Sequence, residues 1–165
     1  MSSHDGMIVV DANVVVDLAL ELAGVRTGRR DEIEALLNRI GRDVVIDGET
    51  VRIRPVLSWH IVTVARGAVA RYLGAEQADR MVVLAFKRLM ARHGTYDPTV
   101  EDYQALARRC WARCGTDTED EAVLACAERH HAAVVTNDAD FRQYLGDLKV
   151  AAWSVATFAA DAVKI

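Results

Sequence analysis

The chain alternates short apolar runs with longer segments of helical period. Met7-Ile8-Val9-Val10 and Ala132-Ala133-Val134-Val135 contain no polar residue and are rich in β-branched side chains. Runs of that length predict strands covered on both faces, as in a parallel sheet. Between them the period changes. Ile33, Leu36, Leu37 and Ile40 recur at i, i+3, i+4, i+7, which predicts an amphipathic helix over 31–40 ended by Gly41. Val14 to Leu18 leads from the first strand into another helix, followed by a break from Gly24 to Arg30. Val44-Val45-Ile46, Asp47-Gly48 and Val51-Arg52-Ile53 read as a strand or as a short hairpin around a DG turn. Pro55 to Ser58 leads into a helix over 59–73 stopped by Gly74, and a further helix covers 75–92 and stops at Gly94. A polar helix is expected from Asp97-Pro98-Thr99 through Cys114, and another over 119–131. A short strand over 150–155 and a helix after Thr157 close the chain. Strands alternating with helices predict one α/β domain over 1–165, a three-layer α/β/α sandwich with a mainly parallel central sheet. The extra helical length over 75–114 is expected to form an arm.

Composition narrows the class without changing the fold. With 165 residues, 52% hydrophobic and 27% charged, the chain is long enough for one full core. Charges interrupt every apolar run before membrane-spanning length, so no membrane contact is expected. The first residues, Met1 to Gly6, lack the basic and apolar regions of a signal peptide, and the expectation is a cytoplasmic protein. A net charge of −4 argues against broad electrostatic nucleic-acid binding. Acids gathered in one pocket would, however, leave the rest of the surface less acidic than the total. Cys110, Cys114 and Cys126 form no CxxC pattern. They are expected to be reduced thiols that pack, with a structural metal as the alternative.

The chemistry lies where the apolar runs stop. The first is followed by Asp11-Ala12-Asn13 and the second by Thr136-Asn137-Asp138-Ala139-Asp140. In open α/β sheets, working groups collect past the carboxyl ends of such strands. Carboxylates brought there from remote parts of the chain would form an acidic pocket suited to a hard divalent cation. Each acid also has a plainer reading, since an Asp after a strand can open an Asx turn or cap a helix. Asp117-Thr118-Glu119-Asp120-Glu121 is a third acidic element, before the helix that precedes the second run. Thr118-x-x-Glu121 has the form of a capping box. A right-handed crossover would bring this helix start near the strand ends. Neither the Asp-x-Asp of haloacid-dehalogenase-like phosphatases nor the paired acids of response-regulator receivers occurs, and no Gly-x-Gly-x-x-Gly follows either strand.

Ile8-Val9-Val10-Asp11-Ala12-Asn13-Val14 resembles the opening of PIN domain nucleases. Asp117 to Ala125 resembles their third motif, and Val134 to Phe141 their fourth. The order and spacing extend the resemblance over nearly the whole chain. The family comprises metal-dependent ribonucleases, among them the toxins of VapBC-type toxin–antitoxin pairs. The resemblance implies Asp11, Asp120 and Asp138 as the catalytic, metal-binding carboxylates for one or two Mg²⁺ or Mn²⁺ ions. It implies Asn13, Thr136 and Asp117 as polar supports and Asp140 as an additional acid. It also implies an RNA substrate, a cognate antitoxin and a homodimer as partners.

One position departs from the family. A glutamate is usual early in the helix after the second strand, and here the segment reads Ser58-Trp59-His60-Ile61. His60 fits four roles: a metal ligand, a phosphate binder when protonated, a general acid or base, or an ordinary helix histidine. Asp43, Asp47 or Glu49 could replace the missing carboxylate. Two functions follow: a metal-dependent endoribonuclease, or a PIN-like module that binds RNA or a partner without cleaving. Arg26, Arg29, Arg30 and Arg142 are candidates for substrate grip, and otherwise solvated charges. Trp59, Trp111 and Trp153 are expected in the core or at an interface.

Overall fold

A computed structural model describes residues 6–113, 116–161 and 163–164. In chain order the first half comprises β1 (Met7–Val10), α1 (Ala12–Leu22), α2 (Arg30–Arg39), β2 (Asp43–Ile46), β3 (Glu49–Arg52), β4 (Arg54–Ser58) and α3 (Trp59–Leu73). The second half comprises α4 (Ala75–Met90), β5 (Thr95–Asp97), α5 (Tyr103–Arg113), α6 (Thr118–His130), β6 (Ala133–Val135), α7 (Ala139–Asp147), β7 (Ala152–Trp153), α8 (Val155–Asp161) and β8 (Val163–Lys164). The central sheet has the order β5-β4-β1-β6-β7, and all its pairs are parallel. Helices flank it, giving the three-layer α/β/α sandwich.

The two apolar runs are β1 and β6, which lie side by side in the middle of the sheet with Val9 against Val134. Ile8, Val9, Val10, Val134 and Val135 are fully buried. Each such side chain contributes about 1.5–3 kcal/mol on leaving water. From β1 the chain moves to β4 on one side, and later returns to β6 on the other. The rim past Val10 and Val135 is therefore the topological switch point, where a crevice opens in such sheets.

Three segments differ from the sequence expectation. Residues 54–58 form β4 rather than a lead-in to a helix. Pro55 is tolerated there because Arg54 N bonds Gly6 O on the β1 side at 2.8 Å. That turns the proline nitrogen toward β5, whose pairing starts only at Val56–Thr95. Asp97 ends β5 instead of opening a helix, and α5 begins at Tyr103, after Asp102 Oδ1 accepts from Gln104 N. Residues 139–147 form α7, a helix that the sequence pattern does not assign. The DG turn makes a true hairpin, with Asp47 and Gly48 both at positive φ, and β2 pairs with β3 and β8 in a second, antiparallel sheet. Helices occupy much of 75–114, but the segment also supplies β5, and α4 packs into the body through Ala78, Val82, Ala85 and Leu89.

Among the described residues, no helix is long and apolar enough to cross a membrane. Trp111 is exposed and Trp59 partly so, whereas the Trp153 ring lies 5.6 Å from Phe158. Cys114 lies outside the described residues. Cys110 and Cys126 are free thiols.

Candidate metal centre

Four helices begin around the switch-point rim. Asp11 caps α1 through Ala12 N, Ser58 caps α3 through Ile61 N, Asp117 caps α6 through Asp120 N, and Asp138 caps α7 through Phe141 N. The acids therefore have both of the readings that the sequence left open. They cap helices, and they face a common cavity. The positive ends of the helix dipoles favour carboxylates there. The capping box is Asp117 with Asp120, not Thr118 with Glu121. Glu121 instead points inward, fully buried, between Arg109 Nε at 3.7 Å and Arg113 Nη1 at 3.5 Å.

A cavity of about 550 Å³ occupies the rim. Asp11, Asn13, Asp117, Glu119, Asp120, Asp138 and His60 all line it. The three remote aspartates thus line one cavity. Burial pushes the Asp11 carboxyl up against the hydrogen bonds from Thr136 and Ala12, and the charges of Asp138 and Asp117 add to it. Burial and the charge of Asp117 push Asp120 up to about 7, with smaller contributions from Asp11 and Asp138. A cation among them would relieve this repulsion.

Asn13 and Thr136 lock the two strand ends together. Thr136 Oγ1 donates to Asp11 Oδ2 at 2.7 Å and accepts from Asn13 Nδ2 at 3.0 Å and Asp138 N at 3.1 Å. The hydroxyl's one donor and two acceptor positions are all used. Asn13 Nδ2 also reaches Asp11 Oδ2 at 3.2 Å, and its Oδ1 accepts from Asn137 N at 3.1 Å. These bonds hold Asp11 and the Asp138 backbone in one register.

His60 lies on the first turn of α3, at the cavity wall. It is 4% exposed, and its Nε2 is buried without a hydrogen-bond partner. Burial pushes its pKa down, against the charges of Glu119, Glu101 and Asp117. A position in the first turn of a helix disfavours the imidazolium further. Neutral imidazole beside carboxylates is a donor set that suits a divalent cation, and the protonated phosphate-binding form is disfavoured.

Other expected residues stand elsewhere. Asp140 is exposed in the first turn of α7 and does not line the cavity. Asp43, Asp47 and Glu49 belong to the hairpin of the second sheet, and Asp43 pairs with Arg52. Arg142 Nη1 donates to the Thr136 carbonyl at 2.8 Å, so it braces the site from behind. Arg29 pairs with Asp17, itself a cavity residue, and Arg30 pairs with Glu34. Arg26 is exposed and does not line the cavity. The sequence reading missed Arg71 and Tyr72, both exposed, which line the cavity along α3. They lie roughly 16 Å from His60 along the helix axis. Nothing in the chain pattern marks them, because their place depends on how α3 packs beside α1.

Asp97, Cys126 and His130 form a second group. Their ligand atoms lie within 4.8 Å of one another, close enough to hold a metal ion. The pocket's three aspartates do not come that close as a trio. Arg129, however, already donates to Asp97 Oδ2 from Nη2 at 2.8 Å and Nε at 3.0 Å. Burial and the Asp97 charge push the Cys126 thiol up to about 12, away from the thiolate that a metal needs. This group fits an ion-pair lock between β5 and α6 better than a metal.

The fold and site define an α/β protein with a five-stranded parallel sheet and an acidic cavity at its switch point. Among solved structures, the chain is similar to PAE2754 from Pyrobaculum aerophilum, with a TM-score of 0.55 and 18% identity over 96% of this chain and 88% of that one. At that identity the likeness is one of fold. No family model and no curated protein matches the chain.

Proposed function

We propose that this chain is a divalent-metal-dependent nuclease of the PIN type that hydrolyses phosphodiester bonds of RNA. The observation that carries the proposal is the meeting of Asp11, Asp120 and Asp138 in one cavity at the switch point, with Asp120 raised to about 7 by its surroundings. Such a cluster alone repels phosphate. When bound, Mg²⁺ or Mn²⁺ supplies the positive charge that attracts the phosphate and makes a water acidic enough to attack it.

The chain's own residues do the rest. Thr136 and Asn13 fix the orientation of Asp11. Asp117 holds Asp120 through the reciprocal cap, and Asp120 would hold the cation together with Asp11 and Asp138. Arg71 offers a planar fork for a phosphate, and Tyr72 an exposed ring on which a base can stack. Their spacing from His60 suits a single strand running along α3.

The test is cleavage of labelled single-stranded RNA with Mn²⁺, with Mg²⁺ and with chelator. Cleavage is expected with the divalent ions alone, and Asp11→Asn abolishes it. One observation favours a second reading: a histidine occupies the place of the family's usual glutamate. RNA retention on the protein with no cleavage in any divalent ion would support a binding module. The family resemblance implies a cognate antitoxin as a partner, and co-purification of a second chain that blocks cleavage would support it.

A further inference from the structure

We propose that His60 supplies a nitrogen ligand to the cation of the acidic cavity, so that the site prefers Mn²⁺ and other transition ions to Mg²⁺. The inference rests on the metal-centre reading above and deepens it by fixing the donor set. Buried imidazole nitrogens ordinarily find a hydrogen-bond partner. The Nε2 of His60 has none, although the side chain is 4% exposed. The first turn that carries it is fixed by Ser58 Oγ, which accepts from Ile61 N at 3.1 Å. The charged groups that act on it are Glu119 and Asp117 from the start of α6 and Glu101 from the segment before α5. The neighbouring ring is that of Tyr103, 6.5 Å away.

All those charged groups are acids, yet no hydrogen bond joins any of them to the imidazole among the described residues. An orphan nitrogen at the wall of a carboxylate cavity is satisfied by the same cation that relieves the carboxylates. Imidazole suits zinc, nickel, iron and copper best, and Mn²⁺ accepts it more readily than Mg²⁺, which takes oxygen donors almost alone. Where an all-carboxylate site would accept Mg²⁺ readily, this chain's substitution shifts the balance toward borderline ions.

Pulsed electron paramagnetic resonance of Mn²⁺ added to the metal-free full chain reads the ligand directly, through the nuclear modulation of a bound ¹⁴N. Wild type is expected to show imidazole coupling. The coupling is lost in His60→Gln and kept in His130→Gln. In parallel, calorimetric titration should show Mn²⁺ affinity falling about 10–100-fold in His60→Gln, with the Mg²⁺ affinity little changed. Asp11-dependent Mn²⁺ binding without ¹⁴N coupling, or with coupling that survives in His60→Gln, overturns this proposal and leaves the metal centre standing. Absence of any Asp11-dependent Mn²⁺ binding overturns both. Even if a variant folds poorly, a wild-type spectrum without ¹⁴N coupling overturns the proposal.

Discussion

Asp120 carries the plainest consequence of the site's crowding. Its carboxyl is raised to about 7 by burial and by Asp117, Asp11 and Asp138. A carboxyl with a raised pKa holds its proton longer when folded than when unfolded. Its contribution to stability therefore falls as pH rises from the ordinary carboxylate range to about 7, and levels off above. In chelator, thermal unfolding of the wild type should show this decline, and Asp120→Asn should lack most of it. Saturating Mn²⁺ reverses the trend, because the ion binds the deprotonated form. An identical pH trend in the variant would contradict the assignment. Asn13 acts one step further out. It touches Asp11, Thr136 and Asn137 through three hydrogen bonds. Asn13→Ala should weaken Mn²⁺ binding about 10–100-fold, as read by calorimetry, with the circular dichroism spectrum unchanged. These residues were legible in the sequence because each follows an apolar run or opens a helix. Arg71 and Tyr72 were not, since only the packing of α3 brings them to the cavity.

At the scale of elements, the helix starts are where sequence and structure diverge most instructively. The acidic run at 117–121 was legible as an N-terminus, but the pairing within it was assigned one residue too late. Asp117 and Asp120 take the cap, which frees Glu121 to point into the body. There it joins three helices: Arg109 and Arg113 come from α5, and the Tyr144 hydroxyl of α7 donates to its Oε1 at 3.4 Å. Glu121→Ala should lower the unfolding free energy by about 3 kcal/mol, the scale for breaking a buried pair from one side. Urea titration checks it, and Mn²⁺ binding should survive. A loss below about 1 kcal/mol would place Glu121 among surface-grade pairs. β4 and β5 escaped the sequence reading for separate reasons. Pro55 disguised β4, because a proline without a ladder partner looks like a turn residue. β5 is three residues long, too short for any period to show.

The whole molecule is organised around one junction. β1 and β6 were legible because strands buried on both faces must be apolar throughout, and their adjacency follows from the parallel α/β arrangement. The switch point then fixes where the aspartates after those strands must meet. The antiparallel sheet of β2, β3 and β8 lies outside this logic, since β8 joins it from the far end of the chain. A separate lock ties β5 to α6: Arg129 bridges Asp97 and Glu101, and His130 Nε2 meets Asp97 at 2.9 Å. That lock places the second group of metal-type side chains in competition with an arginine, and the cation site proposed above is the rim cavity. Anomalous diffraction from a crystal soaked in Mn²⁺ tests this most directly. A peak coordinated by Asp11, Asp120 and Asp138 is the predicted result. A fully soaked crystal with no peak in that cavity, or with its peak at Asp97, Cys126 and His130 instead, would contradict it.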